Sequence, residues 1–222
     1  MQKPHVGIVY LDRIERSFFS DFEAEVERDE LELEINGRPE PGPYAAVEWF
    51  LPTAVIAFVA KSYFQEFLKE MGSDHYKALK LSLTKLTKKT ISQPRFEPVI
   101  MGSKGKIRQN NPYSMAYSIT AEGKDGYNFK LLIPKFSPDV DYENIVVKFM
   151  EFISDYHHID GNSAASLEIE KSGSPGGIIL VHLNPETGVI EWLDHVPPEV
   201  RERMAAQKKT SSSLTNQGAI AP

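Results

Sequence analysis

Three histidines in the second half of the chain, His157, His158 and His195, stand beside Asp155, Asp160 and Asp194. Imidazole next to carboxylate can bind a divalent metal or move a proton. The residues that would carry such chemistry are His157, His158, Asp160 and His195, and it would be a metal-dependent or acid–base hydrolysis. The spacing argues against a chelate. Neighbours on a helix point about 100° apart, and no HExxH pattern is present. Cations are also favoured at a helix C-terminus by its dipole, which accounts for His157-His158 without chemistry. Asp194-His195 reads equally as an ordinary loop entry before Pro197-Pro198.

Nucleophile and cofactor motifs are missing from the sequence. There is no cysteine and no G-x-S-x-G. After the first apolar strand, Asp12-Arg13-Ile14 stands where a dinucleotide fingerprint would place glycines. No cofactor and no metal centre is expected.

The second set is basic. Residues 85–108 carry a net charge of +6 in a chain whose total is −6. Lys88, Lys89, Arg95, Lys104, Lys106 and Arg108 could meet a phosphate backbone or another polyanion, with Phe96, Tyr113 and Tyr117 near enough in sequence to stack on bases. Gly102-Ser103-Lys104-Gly105-Lys106 lacks the spacing of a P-loop. A solvated loop and helix face explains the same residues more simply.

Opposing it, residues 1–40 carry a net charge of −6. Glu23 through Glu34 could pair with the basic stretch inside the fold, within a homo-oligomer, or with a basic partner. Solvent-facing decoration is the competing reading, and on an edge strand such acids discourage aggregation.

The last set is apolar. Trp49, Phe50, Phe58 and Phe64 belong to a stretch rich in large side chains, which reads as a buried helix or, failing that, an interface. Its uncharged run, Trp49 to Ala60, is too short to span a bilayer, which needs about 20 residues. The N-terminus has no cleavage signal. The chain is therefore expected to be soluble and cytoplasmic.

The elements that would position these residues follow from periodicity. His5–Leu11 reads as a buried strand and Ser17–Glu27 as a helix. Glu30–Asn36 alternates as a half-buried strand, broken by Asn36-Gly37. A helical hairpin is predicted over about 53–88, turning at Gly72-Ser73. Tyr113–Ala121 and Tyr127–Ile133 predict a β-hairpin, as do Ile178–Leu183 and Val189–Leu193. Val99–Met101 and Ser166–Glu170 read as short strands. A long helix is predicted over about 138–158, capped by Ser137 with Pro138 first.

These elements predict an α+β fold with a mostly antiparallel sheet built of hairpins. Residues 1–207 are expected to form one domain, with a subdivision conceivable near 90–95. Residues 208–222, rich in Ser, Thr, Gln and Ala, are expected to form a disordered tail. With no catalytic signature, the leading expectation is a non-enzymatic interaction protein acting through a protein partner or self-association. The hydrolase and polyanion readings stand as alternatives.

Overall fold

Val6–Leu11 (β1) is a run of branched and aromatic residues, the composition that suits a pleated, buried surface. In the computed structural model it is the second strand of a seven-stranded sheet. The structure describes residues 4–40, 53–97, 111–124, 126–158 and 177–193. A 3-10 turn, Arg16–Phe19, leads into α1, Ser20–Val26, and the chain returns as β2, Leu33–Arg38. Then come β3, Val55–Val59, a π turn over Tyr63–Phe67, α2, Leu68–Met71, and α3, Ser73–Ile91. The remainder is β4, Tyr113–Glu122; β5, Asn128–Pro134; α4, Tyr142–His158; β6, Ile178–Leu183; and β7, Ile190–Trp192.

The strand order is β2-β1-β3-β4-β5-β6-β7. The α+β expectation holds, but the sheet is mixed rather than mostly antiparallel. Pairs β1–β2, β3–β4 and β5–β6 are parallel, and pairs β1–β3, β4–β5 and β6–β7 are antiparallel. Each parallel pair needs a crossover connection, and in each the intervening chain carries helix: α1, then α2 with α3, then α4. Only the two hairpins advertise themselves by short turns.

The predicted helical hairpin over 53–88 is wrong in its first third. Val55–Val59 is a central strand between β1 and β4. A short apolar run buried on a sheet cannot be told from buried helix by period alone, and the β-branched Val55, Ile56 and Val59 favour the strand. Helical structure begins only after Ala60. Gly72 ends α2 at φ 75°, ψ −174°, a region essentially reserved for glycine.

Two further boundaries move. β2 does not break at Gly37 but runs through it to Arg38. Helix α4 starts at Tyr142, not Pro138, because the Asp141 carboxylate accepts the amide hydrogens of Glu143 and Asn144, both at 3.1 Å. Ser137 caps only a local turn, accepting from the Asp139 amide at 3.3 Å.

Register divides the sheet into two faces. One carries Ile8, Ala57, Ile119, Leu131 and Val181, in line across five strands. The helices pack there: Tyr10 meets Phe19 at 4.7 Å between ring centres, and Phe129 meets Phe152 and Tyr156 of α4 at 5.3 and 4.9 Å. The other face carries Phe58, Ser118, Lys130 and Leu180.

The opposed charge blocks meet within the fold. On α3, Lys85 pairs with Glu25 at 2.5 Å and Lys89 with Asp21 at 3.0 Å. Ser82 adds a hydrogen bond to Glu25 at 2.6 Å. Residues 1–192 cluster as one unit and 193–222 as another. The expected tail over 208–222, the short strands near 99–101 and 166–170, and the segment holding Trp49 and Phe50 lie outside the described residues. Among the described residues, no helix is long and apolar enough to cross a membrane.

Candidate functional site

The histidines first. His157 and His158 end α4, and the helix turns them apart. His157 Nε2 donates to the Glu122 carbonyl at 2.9 Å, and its ring stacks on Phe64 at 5.3 Å and 25°. His158 Nδ1 instead bonds the Ser154 carbonyl, one turn back, at 2.7 Å. Burial holds His157 below its usual range. Asp160 and His195 lie outside the described residues. Among the described residues, no three His, Asp or Glu side chains are grouped to hold a metal ion.

A histidine that the C-terminal grouping did not include is the more deeply placed one. His75, 5% exposed on α3, donates from Nε2 to the Val26 carbonyl at 2.9 Å. That assignment leaves Nδ1 to accept the Tyr63 hydroxyl at 3.0 Å. Its signal in sequence is position: His75, Leu79 and Leu83 repeat every four residues, so His75 shares the buried stripe. The surroundings are packed aromatics, with Phe67 edge-on at 4.9 Å, and the arrangement is structural.

The basic set is partly consumed. Lys88 lies 3.7 Å from Glu143. Lys89 donates to the Phe18 carbonyl at 2.8 Å as well as to Asp21. Arg95 is different: it is exposed, lies over the Phe96 ring at 5.2 Å and pairs with no carboxylate among the described residues. Lys104, Lys106 and Arg108 lie outside the described residues.

Arg95 stands at a cleft of about 400 Å³ lined by Arg13, Ile14, Glu15, Ser17, Phe18, Arg95 and Phe96. The cleft lies just beyond the carboxyl end of β1, the end of a strand at which open sheets with crossover helices place their ligands. Arg13 is fixed there by a hydrogen bond to the Phe96 carbonyl at 3.0 Å and by Glu40 at 3.4 Å. Phe18 and Phe96 meet edge to face at 5.1 Å and form an apolar wall.

Phe18 is also shared with a second, smaller cleft of about 150 Å³ running between α1 and α3, past Asp21, Glu25, Lys85 and Lys89. The Lys89 ammonium sits 4.6 Å above the Phe18 ring. Phe18 borders both clefts, which make up the Phe18 trough, with Arg13 and Arg95 lining the larger one and Lys85 and Lys89 the smaller.

Of the apolar set, Phe64 is 1% exposed and packs between Tyr63 and His157. It is spent on the core, not on a surface. Phe58 is half-buried on the sheet face away from the helices. The protein's relatives add nothing to this geometry: no family model matches the chain, no curated protein matches it, and no solved structure does.

Proposed function

We propose that this chain is a non-enzymatic binding protein that takes an acidic, aromatic-containing segment of a protein partner in the trough around Phe18. The observation that carries this reading is Arg95: an exposed guanidinium at the mouth of the larger cleft, resting on Phe96, with no carboxylate partner among the described residues. Arg13 stands across the same cleft, held by Phe96 and Glu40. Arginine suits planar recognition of carboxylates, and an aromatic floor gives a partner's side chain apolar area to cover. Two clefts that share Phe18 suit a partner segment placing a side chain in each better than one enclosed small molecule.

The test is a fluorescence titration with a labelled peptide alternating Glu and Phe. Binding should weaken with salt, as rim charges require. Arg95→Glu should weaken it about tenfold or more, in line with loss of a complementary charge. Arg16→Glu, outside the trough, should leave it unchanged. If the peptide fails to bind, or binds Arg95→Glu as tightly as the parent, the reading fails. Light scattering at two salt concentrations addresses self-association: a salt-sensitive dimer disrupted by Arg95→Glu would make a second copy the partner.

A further inference from the structure

The two edges of the sheet are unlike. β7, Ile190–Trp192, is 3 residues long, whereas β2, Leu33–Arg38, is 6 and pairs with β1 in unbroken parallel register. Hydrogen bonds at the two ends of β2 show which of its backbone groups that pairing uses. The Val6 amide donates to the Glu32 carbonyl at 3.2 Å, and the Asp12 amide donates to the Arg38 carbonyl at 2.9 Å. Backbone groups of a strand point to opposite sides at alternate residues. Glu32, Glu34, Asn36 and Arg38 therefore face β1, and Leu33, Ile35 and Gly37 turn their N–H and C=O groups outward. Among the described residues, nothing bonds these outward groups.

An open row of this kind is a template for another strand. The common guards are missing from β2: it holds no proline and no lysine, and its register carries no bulge. Its side chains alternate with the same period. Glu32, Glu34 and Asn36 stand exposed on one face, while Leu33 and Ile35, on the other, are half-buried against the core. Neither Glu32 nor Glu34 makes an ion pair among the described residues. Arg38, at the end of the acidic face, turns in to donate to the Thr53 carbonyl at 2.6 Å. A second copy would bring acids to a seam that already holds them, and like charges opposite one another across strands are destabilising. The charge here asks for a basic occupant.

We propose that β2 is a docking edge for a basic, extended segment of a partner protein, which joins the sheet as an added strand. The segment alternates Lys or Arg with β-branched residues. Its backbone takes up the open groups of Leu33, Ile35 and Gly37. Its cations stand beside Glu32 and Glu34, and its apolar side chains extend the face of Leu33 and Ile35. In strand addition the main-chain bonds supply affinity and the alternate side chains supply specificity. The edge shares no residue with the Phe18 trough and selects the opposite charge.

The experiment is a fluorescence titration of the full chain with a labelled, end-blocked peptide, Thr-Lys-Val-Lys-Val-Lys-Thr, joined to amide hydrogen exchange read by NMR. The expected result is saturable binding that weakens with salt. Exchange at the Leu33, Ile35 and Gly37 amides should slow when the peptide binds. The double variant Glu32→Lys with Glu34→Lys should weaken binding about tenfold or more, as loss of complementary charge requires. Ile35→Pro should weaken it as much, since it removes an outward N–H and no bond to β1. Should Ile35→Pro not fold, two N-methylated peptides replace it, one methylated at the Val amides and the other at the Lys amides. One should lose binding and the other keep it, because only one set of amides faces β2. The proposal is overturned if the peptide does not saturate the chain, or if it binds the double variant as tightly as the parent. Equal binding of the two methylated peptides, or unchanged exchange at the three amides, overturns it too. So does a dimer in light scattering that Ile35→Pro abolishes, because a second copy would then fill the edge. Binding of the acidic peptide at the Phe18 trough should not move with Glu32→Lys and Glu34→Lys, so the two sites fail or stand separately.

Discussion

Tyr63 and His75 are joined by a buried hydrogen bond of 3.0 Å between the phenol hydroxyl and Nδ1, and the opposite ring nitrogen is tied to the end of α1 through the Val26 carbonyl at 2.9 Å. One imidazole thus fastens the π turn and α1 to α3. With the ring neutral, Nδ1 offers the lone pair to which the Tyr63 hydroxyl donates.

Acid should loosen this fastening. Burial lowers the pKa of His75, and of His157, below the ordinary 6.5. The unfolded chain takes up protons near pH 6.5, and the folded chain resists until lower pH. Their contribution to stability is complete above pH 6.5 and is lost as the pH falls through that value toward the folded pKa. The urea midpoint should accordingly be lower at pH 5 than at pH 8. Tyr63→Phe, which strips Nδ1 of its donor, should cost about 1–3 kcal/mol at pH 8. A midpoint that stays flat from pH 8 to pH 5 would contradict the role given to these rings.

Gly72 should resist replacement of every kind. Its φ of 75° with ψ near −174° lies outside the left-handed helical well that asparagine tolerates. Gly72→Ala and Gly72→Asn should both lower stability by about 1–3 kcal/mol. Space is not the obstacle, because a Cβ there would meet nothing within 4 Å. Rescue by asparagine in a denaturant melt would show a different backbone at this corner.

The start of α4 separates two caps. Asp141→Ala should cost about 1 kcal/mol, the usual loss when a capping oxygen disappears. Ser137→Ala should cost measurably less, because its hydroxyl serves one local amide. Equal losses from the two would place the helix start where the Ser-Pro sequence signal puts it.

The pairs between α1 and α3 should matter little to stability. Lys85 and Glu25 are 55% and 35% exposed, and Lys89 and Asp21 are 39% and 82% exposed. Exposed pairs contribute about 0–1 kcal/mol. A double-mutant cycle on Lys85 and Glu25 should return a coupling in that range, smaller at high salt. A coupling above about 2 kcal/mol would mean the pair is shielded.

Sequence periodicity located most of the elements but not how they join. β4–β5 and β6–β7 were legible because each is closed by a short turn. The parallel partners were not, since β1 and β2, or β5 and β6, are neighbours only in space. β3 was misread because five apolar residues satisfy a helix and a buried strand alike. Of the candidate sites, Arg95 was visible as one basic residue among many. Nothing in sequence distinguished it from Lys88 or Lys89, whose partners Glu143 and Asp21 lie more than 50 residues away.

The strand order has a consequence for how the molecule comes into being on the ribosome. β1 is made first, yet its antiparallel neighbour β3 ends at Val59. A chain halted at residue 40 would hold β1 and β2 alone, a parallel pair with one seam open and without α3 to cover Phe19 and Phe22. The N-terminal third must wait, unfinished, for the middle of the chain to be synthesised. Truncations before Ile91 should therefore be caught by chaperones or degraded instead of accumulating as a folded fragment.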